Sequence, residues 1–169
     1  MTEEIKSLIQ LLALRKINEQ EFLSTYFKGK QPNKEYCLKL LKDGLSNNET
    51  EKIEEALIVM SVANFNDDVF SEALCVLLSK DWDYSHEVIA MLLKNIKDPS
   101  TVNGLYYATE LQFEYLNYDD TFQFARKCIK ALAAIGNENA IDKLRLLTKS
   151  NIHIISEYAK KELRYKNLE

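Results

Sequence analysis

The 169-residue sequence has little of what punctuates a chain, with four glycines and two prolines in all. A sandwich or barrel needs many tight turns, so this scarcity excludes one and predicts an all-α fold. Cys37, Cys75 and Cys128 are widely spaced, odd in number and never paired as C-x-x-C. That excludes a disulfide framework and a zinc knuckle, and leaves three reduced thiols expected in the core. Histidine is as scarce, with only His86 and His153. No glycine-rich phosphate loop, G-x-S-x-G elbow or H-E-x-x-H stretch occurs. No apolar run approaches the roughly 18 residues of a membrane span. The N-terminal segment, interrupted by Gln10 and Arg15, has no basic start leading into a secretory apolar stretch, so the expected compartment is the cytoplasm.

Candidate chemistry is correspondingly thin. His86 beside Glu87 reads as a helix-start or surface residue, and His153 as a terminal cap. The group Asp81, Asp83 and Glu87 lacks the glycine and ligand spacing of a calcium loop. Glu54-Glu55 and Asp67-Asp68 are adjacent on helices or at helix starts and do not make an acid/base dyad. No catalytic residue, metal or cofactor is expected.

What the chain does have is apolar periodicity near 3.6, carried by 46% hydrophobic residues. Ile5, Leu8, Ile9 and Leu12, then Phe22, Leu23, Tyr26 and Phe27, predict two short helices separated near Asn18. Asn33 opens a helix that Gly44 is expected to end, and Asn48 or Thr50 opens the next. The turns Asn64-Asp67, Lys97-Ser100 and Gly136-Asn139 then recur at about 33 to 39 residues, the period of an α-solenoid built from helical hairpins. Phe70, Val102 and Ile141 fall at matched core positions. Ser85 is a candidate cap for a helix through Ile96, and Ser150-Asn151 for the last one. A single domain is expected over residues 1–169, with residues 1–45 as N-terminal capping helices. Residues 46–165 would hold about three repeats and a terminal helix.

Charge is unevenly spread. The total is −4, which does not favour a protein wrapped around phosphates. Residues 1–42 carry +3, residues 126–169 carry +5, and residues 43–125 carry −12. Between Asp98 and Ala125 there is no Lys or Arg, while Tyr106, Tyr107, Phe113, Tyr115, Tyr118, Phe122 and Phe124 crowd the same stretch. In a stacked solenoid successive connectors lie about 10 Å apart along one edge. Asp81, Asp83 and Glu87 are therefore expected beside Glu114, Asp119 and Asp120, with Trp82, Tyr84, Tyr115 and Tyr118 among them. Like charges repel, so such a cluster asks for a basic partner, and aromatic side chains amid charge are what interfaces use as anchors. The plainer reading, in which the rings close the core and the acids keep the protein soluble, stands beside it.

The stretch 128–144, with Ala131-Leu132 and Ile135-Gly136 followed by Ala140-Ile141 and Leu144, resembles a HEAT-like repeat. The segments 81–87, 97–102, 114–120 and 125–132, in that order and spacing, resemble a bacterial family of small HEAT-like proteins encoded beside polymorphic or contact-dependent toxins, over about half the chain. The resemblance implies a right-handed α-solenoid of HEAT-like helical hairpins that acts without catalysis as an immunity protein. Its partner would be a basic toxin domain such as a nuclease, with the protein a monomer or in a 1:1 heterodimer, and with no nucleic acid and no membrane. The expected partner-binding residues are Asp81, Trp82, Asp83, Tyr84, Glu87, Glu114, Tyr115, Tyr118, Asp119 and Asp120. Two other functions remain open: a scaffold or adaptor for another cytosolic protein, and a HEAT-type nucleic-acid protein, for which the basic ends of the chain would have to come together.

Overall fold

The computed structural model describes residues 1–116 and 119–167, and these are helical with no strand among them. They group into two compact units, Met1–Phe65 and Asn66–Glu169.

The first unit holds α1 (Glu3–Ala13), α2 (Glu19–Tyr26), α3 (Lys34–Asn47) and α4 (Thr50–Val62). Their starts are written in side chains that accept otherwise orphaned backbone N–H groups. The Asn18 side chain accepts from the Glu21 amide at 2.9 Å while Glu21 accepts from the Asn18 amide at 2.8 Å, a reciprocal capping box. Asn33 accepts from the Tyr36 amide at 3.0 Å. Gly44 does not end α3, contrary to expectation. The helix continues to Asn47 and is closed by Asn48 at φ +53°. Gly44 is buried instead, because a Cβ there would lie 2.8 Å from Ile53 Cδ1. The glycine allows α3 to approach α4, and α4 packs on α3 and α2.

The core of this unit is Phe22, Cys37, Leu41, Ile53 and Met60. Into it points one carboxylate, Glu55, which accepts from the Tyr26 hydroxyl at 2.6 Å. Burial, then this hydrogen bond, pushes the Tyr26 phenol well above its ordinary range. Burial pushes the Cys37 thiol up to about 12, so it behaves as an apolar packing residue.

The second unit holds α5 (Ser71–Leu77), α6 (His86–Ile96), α7 (Val102–Ala108), α8 (Gln123–Ile135), α9 (Glu138–Leu147) and α10 (His153–Tyr165). Within it α6 packs on α5 and α8, α7 on α5, α8 and α9, and α10 on α8 and α9. The amphipathic helix α8 lies in the middle and buries Phe124, Ala125, Cys128, Ile129, Ala131, Leu132 and Ala133. Phe70, Val102 and Ile141 are all buried. Short 3₁₀ turns, Asp68–Phe70 and Pro99–Thr101, lead into α5 and α7. Gly136 at φ +65° stops α8, and Asn137 caps α9 by accepting from the Ala140 amide at 2.8 Å. Two expected caps act differently. Ser150 accepts from the Ile152 amide at 3.2 Å and α10 begins only at His153, and Ser85 makes no side-chain cap for α6.

One close approach is testable. A Cβ on Gly104 of α7 would collide with Cys75 Sγ of α5, so Gly104→Ala is expected to cost about 1–3 kcal/mol, most of it recovered in Gly104→Ala with Cys75→Ala, as read by urea denaturation. In the first unit, Tyr26→Phe strips the hydroxyl from Glu55 and is expected to cost about 1–3 kcal/mol by the same measurement.

Candidate functional site

The chain from Lys80 to Glu87 is organised by a carboxylate that never reaches the surface. Asp83 is 1% exposed, and its side chain accepts from the Ser85 amide at 2.8 Å. This Asx-type turn delivers His86 to the first position of α6, where the imidazole is fully buried. The His86 ring stacks on Phe113 with centroids 3.8 Å apart and an interplanar angle of 18°, and Phe124 lies 5.4 Å away. His86 Nδ1 lies 2.7 Å from the Tyr115 hydroxyl. The Lys80 backbone also lies close to the ring, and Nε2 completes no hydrogen bond. We assign the proton to Nε2, which leaves Nδ1 to accept from Tyr115. Burial pushes the imidazole down to about 4, so it is neutral near pH 7.

Tyr115 is held in turn, and its ring supports Tyr84 edge-on at 5.1 Å. Segments 84–86 and 113–115 are thereby brought together. Tyr84 is 66% exposed, with the supported ring facing solvent. Asp81, Glu114 and Asp120 are exposed, and Trp82 and Tyr115 are half-buried.

Three of the expected acids do other work. Asp83 is a correction to the expected surface, since its burial and its bond to the turn remove it from any partner's reach. Glu87 is half-buried and paired with Lys127 of α8. Asp119 accepts from the Thr121 amide at 3.0 Å, the Thr121 hydroxyl and the Gln123 amide at 2.6 Å, and so builds the entry to α8. The Thr121 hydroxyl first, and then the Gln123 and Thr121 amides, hold the Asp119 carboxyl below its ordinary range. Tyr118 lies outside the described residues. A small cavity of about 160 Å3 opens beside this loop, lined by Leu111, Phe113, Leu116, Asp119, Asp120 and Phe122 among others.

His86 has no solvent exposure and its Nδ1 is committed to Tyr115, so it has no path to a substrate proton. Burial raises the Cys128 and Cys75 thiols, away from thiolate character. Among the described residues no group of three or more His, Cys, Asp or Glu is placed to hold a metal ion, and no helix is long and apolar enough to cross a membrane. The residues missed from sequence are His86 as the support and Lys127 as the partner of Glu87. Forty residues separate that ion pair, and no local spacing announces it.

No protein-family model, curated protein or solved structure matches the chain.

The buried imidazole has a pH signature. Its folded pKa lies below its unfolded value of 6.5, so the unfolded chain takes up the proton first. The stabilisation is intact above about pH 6.5 and is lost as pH falls toward about 4. In denaturation series from pH 7 to 4.5, the wild-type protein is expected to lose about 2–3 kcal/mol relative to His86→Phe. A difference independent of pH would refute the neutral buried assignment.

Proposed function

We propose that this protein is a non-catalytic protein-binding module, an immunity protein that neutralises a cognate bacterial toxin by covering its active or binding site. The observation that carries the proposal is Tyr84, an exposed ring braced from beneath by Tyr115 and His86 and set near Asp81 and Glu114 in the same two segments. A pre-positioned aromatic loses little entropy on binding, and such rings dominate interface energetics. The exposed acids Asp81, Glu114 and Asp120 supply the field that would steer a basic partner, such as a nuclease domain whose own site must attract phosphate. The resemblance of segments 81–87, 97–102, 114–120 and 125–132 to toxin-associated HEAT-like proteins points to the same partner class.

The finer architecture belongs to the same proposal: a right-handed α-solenoid of HEAT-like hairpins. What supports it is the succession α6, α8, α10 packed side by side, with α7 and α9 packed on each other and on α8. A scaffold or adaptor for another cytosolic protein would use the same surface and differ in its partner.

The test is co-expression with the product of the adjacent gene, followed by kinetics on the purified pair. Neutralisation of that product's toxicity is expected. Asp81→Lys with Glu114→Lys is expected to slow association at least tenfold at low salt and little at high salt. Tyr84→Ala is expected to speed dissociation by about 10- to 100-fold. Unchanged neutralisation and affinity in both variants would overturn this surface, and a complex with a non-toxic cytosolic protein alone would favour the adaptor.

A further inference from the structure

A second surface of the C-terminal unit has the opposite charge. The facing sides of α6, α8 and α10 enclose a groove of about 470 Å3, and Lys94, Arg126, Lys130, Lys161 and Lys166 line it against a single carboxylate, Glu162. Three elements far apart in sequence contribute. Lys94 comes from the last turn of α6, Arg126 and Lys130 from α8, and Lys161 and Lys166 from α10 and its end. Ala133 and Ala134 line the groove beside them, and their small side chains leave its space open.

These cations are gathered without neutralisation. Elsewhere in the unit Lys127, Arg145 and Lys160 each meet a carboxylate, whereas Lys94, Lys130, Lys161 and Lys166 have no carboxylate partner among the described residues. Mutual repulsion of like charges costs stability unless an anion occupies the space. Arg126 is fixed in place: its guanidinium lies 5.3 Å over the Tyr158 ring, and the Tyr158 hydroxyl donates to the Thr121 carbonyl at 2.8 Å.

The groove also offers a ring. Tyr165, two turns from Tyr158 and about 10.5 Å along the helix axis, lines it and is 85% exposed. Cations spaced along a channel, with an aromatic face open between them, match a phosphodiester strand whose bases stack while its phosphates meet lysines. An acidic polypeptide would satisfy the charges but leave the ring unused. A duplex is convex and about 20 Å across, too wide for a groove between packed helices at about 10 Å spacing. We infer that this groove is a binding site for single-stranded nucleic acid. The site is independent of the acidic edge proposed to hold a protein partner.

The test is fluorescence anisotropy of the full-length protein with a labelled oligothymidylate of about 16 nucleotides, between about 20 and 200 mM salt. Micromolar binding is expected, with a log–log salt slope of about −2 to −3.5 for three to five phosphate contacts. Lys130→Glu with Lys161→Glu is expected to weaken it at least tenfold and flatten the slope. Tyr165→Ala is expected to weaken it about tenfold and Tyr165→Phe hardly at all. All three side chains reach solvent, and circular dichroism of each variant confirms that the helices persist. Absence of binding, indifference to Tyr165→Ala, tighter binding of the matching duplex, or equal competition by polyglutamate would each overturn the assignment, the last in favour of an acidic protein segment.

Discussion

His86 stands at the first turn of α6 with no exposure to solvent, and three aromatic rings gather on it: Phe113 stacked on it, Phe124 beside it, and Tyr115 bound to its Nδ1. A charged imidazole could not be kept there, and burial drives it neutral. Nδ1 meets the Tyr115 hydroxyl, and that contact ties α6 to the 3₁₀ turn Glu114–Leu116. Through Tyr115 the constraint reaches Tyr84 at the surface. The exposed ring is thus backed by a buried side chain, and α6, α8 and the connector between α7 and α8 meet at it.

The charges of this unit follow from the same packing. α6 is 11 residues long, about 16 Å, and its two ends lie in different electrostatic settings. At its start Glu87 is neutralised by Lys127, near the acids Asp81 and Glu114. At its end Lys94 joins the cations of α8 and α10. A net charge of −4 conceals this separation. One unit thereby presents an acidic aromatic edge and a basic groove, each suited to a partner of the other sign.

Much of the fold was legible because its signals are local. Asn18, Asn33, Gly136 and Asn137 mark helix boundaries through hydrogen bonds or backbone angles that span only a few residues, and the apolar stripe of α8 is complete in its own 13 residues. Gly44 was misread because a glycine that ends a helix and one that admits a neighbouring helix look alike in sequence. The difference lies in Ile53, on another helix. The candidate edge was legible in part. Segments 84–86 and 113–115 do meet, but Asp83, Glu87 and Asp119 are drawn into a turn, an ion pair and a helix entry. A carboxylate reads as the same letter whether water or a backbone amide satisfies it.

By itself the sequence determined an all-helical chain, the places where most helices start and stop, which faces are apolar, and an acidic middle between basic ends. These are properties of period, propensity and composition, and each is decided within a few residues. Tertiary structure alone decided that Glu87 is paired with Lys127, that His86 is a buried support, and that five cations from three helices share one groove. Those outcomes depend on packing between residues 27 to 72 positions apart, where the free energy of an ion or a ring is set by neighbours that sequence spacing does not name.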